Sequence, residues 1–161
     1  LRLVEKLKAA VPHIAISTDI ITGFPGETEE DFSELEAFVK EVRFDRLGVF
    51  PYSPEEGTPA FRMKNKVSAS LKKTRCDRLM ALQQEISAEK NRSRIGKIYD
   101  VLVEGISEDG IFYYGRSYAE APDVDGRIYF TALEPLQIGN IVKIEILIAE
   151  EYDLTGRQIC V

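Results

Sequence analysis

Leu1, Val4 and Leu7 recur at helical spacing, and Pro12 closes that helix just after Ala10. Ile14-Ala15-Ile16-Ser17-Thr18-Asp19-Ile20-Ile21 is a short, mostly apolar run, the pattern of a strand covered on both faces. Thr28 then stands in cap position before Glu29, Glu30 and Asp31. Asp31 is three residues on, as a capping box requires, and the carboxylates meet the positive end of the helix dipole. Phe32, Leu35, Phe38, Val39 and Val42 form the apolar face of the helix so begun. Phe44 and Leu47-Gly48-Val49-Phe50 predict a second strand, which Pro51-Tyr52-Ser53-Pro54 ends because proline has no N–H for a ladder. A long helix follows over about 68–91, with Leu71, Leu79, Leu82 and Ile86 inward and its many Lys, Arg and Gln outward.

From Gly96 the period changes. Tyr99–Glu104, Ile111–Tyr114, Arg127–Phe130 and Ile141–Ile148 alternate or run β-branched, and Glu108-Asp109-Gly110, Asp125-Gly126 and Ile138-Gly139-Asn140 punctuate them as turns. This predicts a small antiparallel barrel of about five strands, in the OB-like size class. The expected organisation is thus an α/β domain over residues 1–92 and an all-β antiparallel barrel over 93–161.

Charge is unevenly shared between these halves. Residues 94–161 hold six bases against twelve acids, so the whole net charge of −6 falls on the barrel, while the first 93 residues are neutral. A nucleic-acid module gains affinity from Lys and Arg that neutralise phosphates, and this barrel would repel them. Two readings remain: solubility alone, or a basic protein partner drawn by the complementary field. No apolar run is long enough for a membrane span, and no signal peptide is visible, so a cytoplasmic protein is expected. The chain begins without Met and in mid-helix, which suggests a segment of a longer protein.

Candidate chemistry concentrates where the first strand breaks. Asp19-Ile20-Ile21-Thr22-Gly23-Phe24-Pro25-Gly26-Glu27-Thr28 takes an apolar strand through two glycines into an acidic helix start. Such a turn exposes backbone to a ligand and is the working edge of parallel-stranded barrels. Cys76 and Cys160 lie far apart with no CxxC spacing, so they read as free thiols. His13, beside Pro12, has no nucleophile or metal partner in view and reads as a solvated loop residue.

The glycine-bounded strand end, followed one strand later by Phe50-Pro51-Tyr52-Ser53-Pro54-Glu55-Glu56-Gly57-Thr58-Pro59-Ala60 and then by the barrel, resembles the radical S-adenosylmethionine methylthiotransferases. The barrel is similar to their TRAM domain, and the resemblance covers nearly the whole chain. It implies a partial TIM-like barrel, here only its C-terminal strands and helices, that binds S-adenosylmethionine at its strand ends. Two 4Fe-4S clusters are also implied. The cysteine loop that holds the first is absent from these residues, and the second belongs to a further domain, so no metal ligand and no catalytic residue is assigned here. By resemblance, Ile21 and Gly23 lie on the strand against the adenine, and Glu27 takes the final acidic position of that motif. Glu27 has a second reading, as a residue that favours the helix start. Phe50 and Tyr52 end the next strand, where backbone can read the adenine edge, and Phe50 also reads as core.

Glu55-Glu56 before Gly57-Thr58, and the stretch Gly115-Arg116-Ser117-Tyr118-Ala119-Glu120-Ala121-Pro122-Asp123-Val124-Asp125-Gly126, resemble the branch of the family that acts on a ribosomal protein (RimO type). That branch implies replacement of an aspartate β-C–H by C–S–CH3 on a small-subunit ribosomal protein. Hydrogen abstraction then depends on a radical derived from S-adenosylmethionine, and sulfur arrives through the auxiliary cluster. Glu55, Glu56, Asp123 and Asp125 are the candidates for docking that basic substrate. The alternatives are a tRNA methylthiotransferase acting on an anticodon-loop adenosine (MiaB-like) and a non-catalytic RNA- or protein-binding adaptor.

Overall fold

Pro12 and the left-handed His13 (φ 67°) turn the chain out of helix α1 (Arg2–Ala10) toward strand β1 (Ser17–Thr22), with His13 exposed to solvent. Helix α2 (Glu29–Val42), strand β2 (Arg46–Pro51), a 3-10 turn over Ala60–Arg62 and helix α3 (Ala69–Arg92) complete the α/β part. This computed structural model describes residues 1–160. They divide into two compact units, Leu1–Ile86 and a second from Ser87 onward.

Strands β1 and β2 pair in parallel, in register from Ser17 opposite Arg46 to Thr22 opposite Pro51, with Ile21 opposite Phe50. Thr18, Ile20, Thr22, Leu47 and Val49 point to the helix-covered face, where Leu47 and Val49 join Phe32, Val39, Val42, Phe44, Leu79 and Ile86 in one core. The α2 start is as the sequence predicts. Thr28 Oγ1 accepts from the Asp31 N–H (3.1 Å), and the Asp31 carboxylate accepts from the Thr28 N–H (2.9 Å). That backbone N–H, followed by the Thr28 hydroxyl, holds the Asp31 carboxyl below its ordinary range.

Two expectations for this unit change. Strand β1 is covered on one face only, and Asp19 and Ile21 alternate outward to an open face. Leu71 is exposed, whereas Arg75, expected outward, is only 2% exposed. On α3, residues 72, 75, 76 and 79 share one face, and the buried side stays mixed beyond them, with polar Gln83, Ser87 and Asn91 buried as well as Leu79 and Ile86.

The second unit is a closed barrel of β3 (Ile98–Ile106), β4 (Tyr113–Arg116), β5 (Ile128–Thr131), β7 (Leu154–Gln158) and β6 (Ile141–Ala149), in that spatial order. It is mixed, not all antiparallel as expected: β5 and β7 run parallel, and the other four pairings are antiparallel. The reason is counting. Strand direction cannot alternate around a closed ring of five, so one neighbouring pair must agree. Val101, Val103, Ile128, Phe130, Ile144, Ile146 and Leu154 fill the interior. β7 escapes the hydrophobic pattern because Thr155, Arg157 and Gln158 surround a single apolar Leu154.

Among the described residues, no helix is long and apolar enough to cross a membrane, and no group of three or more His, Cys, Asp or Glu could hold a metal ion. Both cysteines are free thiols.

Candidate functional site

Because β1 and β2 are parallel and in register, their outward residues form two rows on the open face: Asp19 beside Gly48, and Ile21 beside Phe50. Ile21 is 59% exposed and Phe50 55%, so two large apolar side chains stand adjacent and uncovered at the strand ends. Gly48 keeps this face low. A Cβ there would meet Asp19 Oδ1 at 2.5 Å and the Phe50 ring at 3.0 Å, so the ring lies across the glycine. A flat apolar ledge of this kind suits an aromatic ligand such as a purine, with backbone at its edge for polar contacts.

The strand ends themselves are pinned from α3. Gly23 adopts φ +75°, and its missing Cβ leaves the space that the aliphatic stem of Lys72 occupies. The same Lys72 donates its ammonium to the Tyr52 carbonyl (2.8 Å) and lies 5.0 Å from the Tyr52 ring centre. One lysine therefore grips the ends of both strands. The Tyr52 N–H donates to the Thr22 carbonyl (2.8 Å), and its ring meets Phe24 edge-on at 5.2 Å. One turn further along α3, the Cys76 thiol donates to the Val49 carbonyl (3.1 Å). Asn65, in the loop before α3, accepts from the Gly26 N–H (3.0 Å).

Glu27 folds back across the turn that starts at Gly23. Both of its carboxylate oxygens accept from the Gly23 N–H at 2.9 Å, and Arg75 donates to Oε1 at 2.6 Å. Arg75 also donates to the Thr28 carbonyl (2.9 Å) and to Glu29 (3.2 Å), and its guanidinium lies 5.2 Å from the Phe32 ring centre. Arg78 extends this network on the surface with a two-pronged contact to Glu36 (2.7 and 3.1 Å) and a bond to Glu29 (2.9 Å). Hydrogen bonds from Arg78, then Arg75, hold the Glu29 carboxyl below its ordinary range, and those to Glu29 and Glu36 raise Arg78 in turn.

Ile21, Gly23, Glu27, Phe50 and Tyr52 thus gather at one edge, two as an apolar pair and three as parts of the turn and strand end beside it. Lys72, Arg75 and Cys76 are additions that sequence reasoning missed. Their spacing of three and four residues on one helix face was the available signal, hidden because charged residues on α3 read as solvent-facing. Glu55 and Glu56 lie exposed in the loop after β2, where Thr58 donates to the Glu55 carbonyl (2.7 Å).

In the second unit, Asp123 is exposed with φ 61°, Val124 is 83% exposed, and Asp125 accepts from the Ala121 N–H (2.7 Å). The loop bearing them is anchored from inside. Glu120 is 5% exposed and accepts from Arg94, from the Ser117 N–H (2.9 Å) and from the Ser117 hydroxyl (2.6 Å). Burial alone would raise the Glu120 carboxyl, but the Arg94 and Ser117 bonds outweigh it and hold the group below its ordinary range. Arg94 also stacks 4.5 Å from the Tyr99 ring centre.

Comparison with known proteins adds the family. The family model for the TRAM domain matches residues 95–159, the length of the barrel. A protein of Acetivibrio thermocellus named ribosomal protein uS12 methylthiotransferase RimO is 54% identical over 157 residues, which cover 98% of this chain and 35% of that protein. Its namesake in Desulforamulus reducens is 50% identical over 156 residues (96% and 35%), and that of Clostridium botulinum strain Okra is 47% identical over 156 residues (97% and 35%). The chain spans about a third of the length of the curated relatives it matches. Identity at this level across both units, with a TRAM domain over the barrel, shows that the chain belongs to the RimO-type methylthiotransferases and forms a C-terminal part of one.

Proposed function

We propose that this chain is the part of a uS12-directed methylthiotransferase that holds one edge of S-adenosylmethionine and presents the substrate-recognising barrel. One observation carries the cofactor half of this reading: the uncovered Ile21–Phe50 pair beside a backbone turn closed by Gly23. In this reading β1 and β2 are the last strands of a partial TIM-like barrel, and their open face is its interior. The domains extend over residues 1–92 and 93–161.

Ile21 and Phe50 cover the adenine face, while Gly23 and Tyr52 offer backbone at its edge. Glu27 acts through the turn, since its carboxylate is already engaged by Gly23 and Arg75. Bound together with a 4Fe-4S cluster held by cysteines elsewhere in the protein, S-adenosylmethionine would supply the radical for hydrogen abstraction, a second S-adenosylmethionine the methyl group, and a second cluster the route for sulfur. The residues of this chain bind, orient and exclude water, and none of them carries the chemistry itself.

The substrate is the β-carbon of an aspartate in uS12, the protein named by the relatives. The net charge of −6 that falls on the barrel half supports a cationic client over a polyanion. Glu55, Glu56, Asp123 and Asp125 are the docking acids, and the enzyme works in the cytoplasm where ribosomes are assembled. Incubating the full-length, cluster-loaded protein with S-adenosylmethionine and a reductant, with uS12 or an anticodon stem-loop RNA, tests this by mass spectrometry. A methylthio mass gain on uS12 alone is expected. Gain on the RNA instead would favour the tRNA-modifying alternative, and gain on neither would favour an adaptor.

A further inference from the structure

Arg75 is an unusual residue to find at 2% exposure on a helix whose Lys73 and Arg78 are exposed to solvent. A guanidinium cannot be buried without partners, and here its hydrogen-bond acceptors come from one short segment: the Glu27 carboxylate, the Glu27 and Thr28 carbonyls, and Glu29. Stability alone does not explain the choice. Buried ion pairs contribute little over an apolar side chain of similar size, and Leu79, one turn on, fills its own place in that way. What a planar, forked donor adds is direction, because it fixes several acceptors relative to one another.

The fixed acceptors lead to the cofactor edge. Glu27 passes the constraint to the Gly23 N–H through two bonds of 2.9 Å, and Gly23 stands two residues from Ile21 at the end of β1. We propose that Arg75 is a positioning residue of the cofactor site: acting through Glu27, it sets the Gly23–Glu27 turn and thereby tunes affinity for S-adenosylmethionine without touching it. This inference rests on the cofactor reading above. Arg78 differs, since it shares Glu29 with Arg75 but its bonds go to Glu29 and Glu36 on the surface rather than to Glu27.

The test uses the full-length, cluster-loaded protein and measures the dissociation constant of S-adenosylmethionine by equilibrium dialysis, with KM values for cofactor and protein substrate beside it. Arg75→Met is expected to weaken cofactor binding about tenfold and raise its KM alike, because a small displacement of a binding edge is costly, while KM for the protein substrate holds. Arg75→Lys, which keeps the charge and loses the fork, should fall between the two. Val42→Ala, a core truncation on α2, should lower the melting temperature without changing cofactor affinity. Should Arg75→Met fail to fold, Glu27→Gln carries the test, with a several-fold weakening expected. An unchanged dissociation constant in a folded Arg75 or Glu27 variant would overturn the inference, as would an equal loss of affinity in Val42→Ala. Phe50→Ala separates the two levels. Weakening there with none in the Arg75 and Glu27 variants removes only the role of Arg75, whereas no effect in any of them removes the cofactor reading itself.

Discussion

Gly23 shows how one residue serves both backbone and packing. Its φ of +75° lies in the left-handed region, and the stem of Lys72 fills the position of its absent Cβ. Gly23→Ala should therefore destabilise the protein by about 1–3 kcal/mol, read as a lower urea midpoint. In the barrel, Glu120 makes a titration prediction. Its folded carboxyl lies below the ordinary value of 4.5, so it contributes stability that is fully present above that value and is lost as pH falls below it through the depressed folded value. Acid titration of the melting temperature should show this loss, and Arg94→Met should lower stability by about 3–5 kcal/mol near neutral pH by leaving a buried carboxylate without its cation. Such roles were only half legible in sequence. Glu27 reads there as either a ligand residue or a helix-start residue, and its carboxylate accepts from the Gly23 N–H and also from Arg75, which arrives from 48 positions away.

At the scale of elements, local signals were the readable ones. Thr28 and Asp31 specify the start of α2 through bonds between residues three apart, so sequence alone places it. Replacing Thr28 with Ala should cost about 1 kcal/mol, measurable as a lower thermal midpoint. Strand β7 was illegible for the opposite reason. With Gly156 and polar neighbours around Leu154, its existence is decided by pairing with β5 and β6. The parallel β5–β7 contact likewise follows from ring closure, a property of the whole sheet that no single run of residues encodes. Charged positions on α3 misled for a third reason: helical periodicity assigns faces by hydropathy, and Arg75 is buried because its partners neutralise it.

For the whole molecule, the distribution of charge and the uncovered face point in complementary directions. In the proposed reading Glu55 and Glu56, in the charge-neutral α/β part, dock a cationic client along with the acidic barrel, so reversing them to Lys should weaken binding of uS12 at low salt, with the difference shrinking as salt screens the field. Unchanged affinity at low salt would remove those two residues from docking. The open face of β1 and β2 makes the stronger demand, because two large apolar side chains at strand ends need a ligand or further protein against them. A crystal structure of the full-length, cluster-loaded protein with S-adenosylmethionine tests this most directly. The account predicts the adenine in contact with Ile21 and Phe50, at about 4 Å, with its edge toward the backbone of Gly23 or Tyr52. Finding the nucleoside at other strand ends, with Ile21 and Phe50 covered by protein side chains, would contradict it.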